Sequence, residues 1–216
     1  IVNKYLRKAH QILEKHPLNQ ERKNLGLPLA NFLLLRGPGV FKKVISFQKK
    51  FGLKSCCIAG AGLYKGIGRF LGMDIIEVKG ATGGKDTKVE NKILKAKDLL
   101  EKYDFVWIHI KATDLYGHDG DCLGKKIFLE KVDRALEAIK NLDCLKVITG
   151  DHSTPCLLRD HSGDPVPIVF SGKTVRKDEN NIFGERSCAR GGLGRIEGVD
   201  LMPEILNLMN KAKIIE

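Results

Sequence analysis

Residues 104–121, DFVWIHIKATDLYGHDGD, decide how this chain is read. The first part, DFVWIHI, is a short apolar run rich in aromatic and β-branched residues, which predicts a buried strand. It passes straight into a segment that carries Asp114 and His118 with Gly117 between them, which predicts a tight loop turning both side chains toward one ion. LKVITGDHSTP, residues 145–155, repeats the arrangement: a β-rich run breaks at Gly150 and delivers Asp151 and His152. His161 follows in the polar turn RDHSGDPVP, residues 159–167, where it can complete a site. Loops at strand ends are where an open α/β sheet builds its binding site.

Outward from this centre the chain alternates strand and helix patterns. Upstream, LKSCCIAGAG (53–62) predicts a strand, GLYKGIGRFLG (62–72) a helix, DIIEVKG (74–80) a strand and residues 88–102 a charged helix. Downstream come a long helix near 122–141, with Phe128, Val132, Leu136 and Ile139 on one face, and a strand at 145–149. PVPIVFSG (165–172) predicts a further strand, 175–198 a glycine-rich loop and 200–212 a closing helix. Strands joined by helices of this length imply right-handed crossovers and a mainly parallel sheet in an α/β domain. At the start, Val2, Leu6, Ala9, Ile12 and Leu13 predict an amphipathic helix ending before Pro17. HPLNQERKNLGLPLAN (16–31) reads as a linker, NFLLLRG (31–37) as a core strand and 40–51 as a helix.

Composition sets the bounds. The 216 residues suffice for one substantial domain, and 43% hydrophobic with 29% charged is ordinary globular composition. Thirty-seven Lys and Arg against 26 Asp and Glu give a net charge of +11, which nucleic acid, an anionic small substrate or a lysine-rich proteome would each explain. The positive charges are spread along the chain and interleaved with acids, with no arginine-rich arm, which favours the last two. The six cysteines show neither a CxxC pair nor regular spacing, so they read as reduced, buried thiols of a cytoplasmic protein. No apolar run approaches the roughly 20 residues of a membrane span.

Asp151 and His152 are adjacent, and in a loop after Gly150 they can serve two neighbouring ions, one each. Mixed carboxylate and imidazole donors suit Mn²⁺, Zn²⁺ or Fe²⁺ rather than Ca²⁺. Two such ions about 4 Å apart would clamp the attacking and leaving oxygens of a phosphoryl transfer. His109, inside the strand pattern, reads as a core histidine or as one supporting the ligands; His10 reads as solvated on the first helix. Lys65 in GLYKGIG stands at a glycine-rich strand-to-helix junction where an ammonium could meet a phosphate. Arg22, Arg36 and the arginines of GERSCARGGLGR, Arg186, Arg190 and Arg195, are further candidate anion contacts.

Several of these segments, LYKGIGRFLGMDIIEVKGATGGKDT, DFVWIHIKATDLYGHDGD, GDHSTP, DHSGDPVP and CARGGLGRIEGVDLMP, resemble the archaeal type of cofactor-independent (2,3-bisphosphoglycerate-independent) phosphoglycerate mutase, in the alkaline phosphatase superfamily. The resemblance runs from about His16 to Met209. It implies a three-layer α/β/α domain with two divalent ions (Mn, Zn or Mg) and transfer of phosphate from 3-phosphoglycerate to a serine and back to the 2-position. It also implies that Asp114, His118 and His161 ligate one ion, that Asp151 and His152 ligate the other, and that Lys65 contacts the phosphoserine. The family's serine nucleophile and a further aspartate ligand lie in an N-terminal segment with no counterpart here. On this reading residues 1–30 are the end of an inserted substrate domain with its return linker, residues 31–216 are the C-terminal part of an incomplete metal-binding domain, and the missing segment is the chain's partner. Ser153, beside His152, is not the family's nucleophile. A phosphatase, sulfatase or phosphopentomutase of the same superfamily is the enzymatic alternative, and a basic nucleic-acid-binding module the non-enzymatic one.

Overall fold

A computed structural model describes residues 1–35 and 37–212 of the chain in two units, Ile1–Lys43 and Val44–Glu216. The first unit holds helices α1, Val2–Glu14, and α2, Pro17–Asn24. The expected linker therefore contains a helix. The His16 ring accepts a hydrogen bond from the Leu18 amide, and Pro17 takes the first helical position, where its missing N–H costs nothing. Buried Asn19 fastens the segment: its amide donates to Leu13 O and Ala30 O, and its carbonyl accepts from the Ala30 amide. His10 is half-buried rather than solvated, with Nδ1 2.7 Å from Asn31 O. The apolar run after Asn31 joins no sheet among the described residues, and Leu34 is 83% exposed. An apolar run carries no information about which surface covers it. Arg36 lies outside the described residues.

The second unit opens with α3, Phe47–Phe51, shorter than the helix expected from residue 40 because Ser46 caps it, accepting from the Lys49 amide. Then follow β1 (Ser55–Ile58), α4 (Gly62–Phe70), β2 (Asp74–Ile75), α5 (Val89–Leu99) and β3 (Phe105–Ile108). The three strands form a parallel sheet in the order β2-β1-β3. Strand β1 is buried at all four residues, and its side chains alternate between two cores. Cys57, with Ala59 just beyond the strand, packs with Phe47, Leu53 and Met73, backed by Met202 and Leu206. Cys56 and Ile58 pack with Ala96, Leu99 and Tyr103. Helices thus cover both faces, which is why the parallel strands read as unbroken apolar runs. Burial pushes the thiols of Cys56 and Cys57 up to about 12 and about 11, so they are inert core groups.

Helices α6, Ala112–Asp119, and α7, Cys122–Leu136, follow β3 and build a third core in which Ala112 and Phe128 meet Val89 and Ile93 of α5. Strands β4, Lys146–Thr149, and β5, Ile168–Ser171, pair with each other, antiparallel, so the parallel arrangement expected for 145–149 is realised only in β1 to β3. A short helix α8, Glu185–Cys188, interrupts the glycine-rich loop, and α9, Leu201–Leu208, is the closing helix. Among the described residues no helix is long and apolar enough to cross a membrane.

Two contacts tie the strand ends together. Lys92 of α5 is fully buried and donates to His109 O at 3.0 Å and Thr82 O at 3.4 Å, joining the end of β3 to the loop after β2. Burial lowers its pKa. At Gly60, just past β1, a Cβ would stand 1.9 Å from Thr82 O, so only glycine lets this loop lie against the strand end. Gly60→Ala is expected to destabilise the fold by about 1–3 kcal/mol, the usual cost of overpacking, read as a lower urea midpoint with an unchanged slope.

Candidate metal centre

Asp114 and His118 sit on a helix and not in the loop that Gly117 suggested. They share one face of α6 at the i, i+4 spacing. Gly117 is present for a different reason: a Cβ there would come 2.4 Å from Thr154 O, so the glycine lets α6 touch the chain that follows β4. Gly120, left-handed at φ 72°, ends the helix, and Asp121 caps α7 by accepting from the Gly124 amide at 2.8 Å.

The chain after β4 makes a closed loop. Ser162 N donates to Ser153 O at 3.0 Å, and Arg159, with φ 55°, turns the backbone just before His161. His161 is thereby returned to α6. Its Nε2 lies 3.5 Å from Asp114 Oδ1 and 3.2 Å from His118 Nε2, while His118 Nε2 lies 3.4 Å from Asp114 Oδ1. These three atoms form a nearly equilateral triangle. Its edges match the roughly 3.3 Å donor spacing of a tetrahedral ion with bonds of about 2.05 Å. The His118 ring also faces the right way: Nδ1 lies 3.0 Å from Arg159 O, a carbonyl that can only accept, so Nδ1 carries the hydrogen and Nε2 keeps its lone pair for an ion. The donor set therefore fits a divalent cation.

Asp114 is held on both sides. Lys111 Nζ donates to Oδ2 at 2.6 Å, and Thr154 Oγ1 donates to Oδ1 at 2.8 Å. Burial alone would raise its pKa, but the hydrogen bonds from Lys111 and Thr154 outweigh burial and bring the carboxyl down to about 2. It stays ionised at physiological pH, as a ligand must.

Asp151 and His152 lie beside the triad. The His152 ring centroid is 3.9 Å from that of His161, its Nδ1 is 3.1 Å from Thr154 Oγ1, and its Nε2 is 3.6 Å from Asp151 Oδ2. Tyr64 of α4 donates its hydroxyl to Asp151 Oδ2 at 3.4 Å and stacks on His109, centroid to centroid 3.3 Å. Of the five candidate ligands, the structure thus groups Asp114, His118 and His161 as a triad, sets His152 against His161 and places Asp151 against His152.

Other predicted site residues have different partners. Lys65 pairs with Glu77 at 2.6 Å. Arg22, in the first unit, donates from Nε to Pro28 O at 2.8 Å. Arg190 lines a surface hollow with Asp178, Glu179, Asn180 and Gly192. Ser153 Oγ donates to Asp164 O at 3.3 Å. Sequence reasoning passed over Thr154, Lys111, Tyr64 and the Arg159 carbonyl, whose roles come from neighbours distant in sequence; only the short spacing of Lys111 to Asp114 and of Thr154 to His152 could have pointed to them.

The family model of the Metalloenzyme superfamily matches residues 3–208. The chain is 50% identical over 216 residues to 2,3-bisphosphoglycerate-independent phosphoglycerate mutase 1 of Archaeoglobus fulgidus, covering 99% of this chain and 53% of that protein. It is 43% identical over 218 residues to 2,3-bisphosphoglycerate-independent phosphoglycerate mutase of Thermococcus kodakarensis, with the same coverage, 99% and 53%. A solved protein structure from Pyrococcus horikoshii superposes with a TM-score of 0.91 at 40% identity, over 100% of this chain and 58% of that one. Cofactor-independent phosphoglycerate mutase from Thermoplasma acidophilum gives 0.66 at 34% identity, over 96% and 50%. The chain spans about half the length of the curated relatives it matches.

Two measurements check this geometry. Gly117→Ala must push Thr154 away from α6, so both thermal stability and divalent-ion affinity are expected to fall, by about 1–3 kcal/mol for the former; unchanged values would disprove the close approach. His109 supplies a pH signature. Burial lowers its pKa from 6.5 to about 4, so the folded state keeps the ring neutral while the unfolded chain takes up a proton. That contribution is complete above pH 6.5 and is lost as pH falls toward 4. It amounts to at most about 3 kcal/mol. His109→Gln should flatten the stability profile across this window in urea titrations.

Proposed function

The chain belongs to the Metalloenzyme superfamily, and from that premise we propose that it carries most of the metal centre of a 2,3-bisphosphoglycerate-independent phosphoglycerate mutase, an isomerase of glycolysis and gluconeogenesis acting in the cytoplasm. The observation that carries this reading is the triangle of Asp114, His118 and His161, built at ligand spacing within a chain 50% identical to a relative so named. The reaction is the conversion of 3-phosphoglycerate to 2-phosphoglycerate through a phosphoserine.

In this reading Asp114, His118 and His161 hold one ion, and Asp151 with His152 contributes to a second, with Mn²⁺, Zn²⁺ or Mg²⁺ as the candidates. Bound ions would supply Lewis-acid stabilisation of a phosphoryl oxygen and favour deprotonation of the attacking hydroxyl. The protein's own groups do the positioning. The Arg159 carbonyl holds the His118 ring, and Lys111 engages Asp114 Oδ2 so that Oδ1 faces the two histidines. The Tyr64 hydroxyl steadies Asp151 by donating to its Oδ2. Lys65 is assigned to the phosphate, which has to draw the ammonium away from Glu77. Arg22, Arg36 and Arg190 remain candidates for the glycerate carboxylate and phosphate.

The serine nucleophile is assigned to the part of the relatives that this chain does not cover, and residues 1–30 to the end of the substrate domain. The 216-residue chain, assayed by itself with 3-phosphoglycerate and Mn²⁺, is expected to bind the ion and to show almost no turnover, because ions alone do not replace a nucleophile. Joined to the remainder of the protein it should turn over, and Asp114→Ala should then abolish both ion binding and activity. Full turnover by the chain alone would sink the assignment of the serine. A preference for generic phosphomonoesters over 3-phosphoglycerate in the joined protein would move the activity to a phosphatase.

A further inference from the structure

Thr154 touches both groups of ligands, and the count of hydrogens on its side chain has a consequence. The residue is 4% exposed, so its hydroxyl depends on protein partners. Its oxygen lies 2.8 Å from Asp114 Oδ1 and 3.1 Å from His152 Nδ1. A hydroxyl has one hydrogen to give. Asp114, paired with Lys111, can only accept, so the Thr154 hydrogen goes to Asp114. Toward His152 the hydroxyl can then only accept, and the ring must present Nδ1–H.

The remaining nitrogen, Nε2, keeps its lone pair and faces Asp151 Oδ2 at 3.6 Å. Without Thr154 nothing holds the hydrogen on Nδ1, and the ring is free to place it on Nε2, which faces Asp151 Oδ2 and needs only a slight shift to donate to it. That arrangement would tie up the Nε2 lone pair and remove the ring as a ligand. With Nδ1 holding the hydrogen, two acceptors face each other with no proton between them, an arrangement relieved by a cation.

We propose that Thr154 is a positioning residue that fixes His152 in its Nδ1–H form and so binds the Asp151/His152 pair and the Asp114 triad into one unit. The coupling to ion occupancy rests on the two-ion reading above; the tautomer does not. In Thr154→Val, Asp114 loses a donor and His152 is freed to turn its hydrogen toward Asp151, so the two halves of the centre fail together. Thr154→Ser keeps the hydroxyl and loses only a methyl group.

The test uses ¹⁵N NMR of the histidine rings in metal-free protein at pH 8, together with Mn²⁺ titrations. Wild type and Thr154→Ser should show His152 protonated at Nδ1, and Thr154→Val at Nε2. The second ion should bind about 10–100-fold more weakly to Thr154→Val, the usual effect of losing a group that orients a ligand, and within a few-fold of wild type to Thr154→Ser. An Nε2–H ring in wild type, or Thr154→Val with unchanged affinity for both ions, overturns the proposal. Should Thr154→Val fail to fold, the wild-type ring and the serine variant decide the matter. A wild-type protein with Nδ1–H at His152 that binds a single ion supports the tautomer and sinks the two-ion reading instead.

Discussion

The separation between helix α6 and the chain after β4 governs the whole centre, and it is set where Gly117 meets the Thr154 carbonyl. A side chain at position 117 would stand 2.4 Å from that oxygen. Its absence allows the helix and the loop to touch, and touching puts Thr154 Oγ1 on Asp114, Arg159 O on His118, and the His161 ring opposite both. None of these contacts survives a displacement of an ångström, since hydrogen bonds and metal donors tolerate only a few tenths. A fold that supplies several ligands from separate segments must fix the distance between those segments before the ligands themselves matter.

The parallel sheet supports this by fixing what lies beneath. Lys92 joins the end of β3 to the loop after β2 through two backbone carbonyls, and Gly60 keeps the same loop against the end of β1. Burying a lysine amine among carbonyls has a cost for its charged form, visible in the lowered pKa of Lys92. The cost is offset by hydrogen-bonding carbonyl groups that would otherwise be stranded at the strand ends. Such groups rigidify the floor on which Tyr64 and His109 stack beside Asp151.

The alternation of apolar runs with amphipathic segments between 53 and 149 was readable because burial on both faces leaves continuous apolar strands, and β1 is the clearest case. The grouping of the five candidate ligands was readable because Asp and His collect at strand ends in a way that core packing does not require, and three of them, Asp114, His118 and His161, stand at ligand spacing. What could not be read shares one cause, dependence on partners remote in sequence. NFLLLRG looks like a strand by composition, but nothing in seven residues names a pairing partner. Gly117 looked like a turn glycine, and its role as a contact with Thr154 exists only in three dimensions. β4 has the composition of a parallel core strand and pairs antiparallel with β5, a choice made by the return of the chain through 156–167. Thr154 and Lys111 were overlooked because a hydroxyl or an ammonium near a candidate ligand is ordinary until its partners are known.

The pairing of Lys111 with Asp114 also sets the electrical state of the centre. One carboxylate and one ammonium 2.6 Å apart cancel, and the two imidazoles of the triad are neutral as donors. An incoming cation would therefore meet a triad without net charge of its own, holding it by lone pairs and geometry. The triad by itself would compensate little of a divalent ion's charge, so the Asp151 carboxylate beside His152 is a group left to balance it. A carboxylate-rich cage would hold a divalent ion more tightly; one lysine-paired carboxylate with two imidazoles gives up part of that affinity.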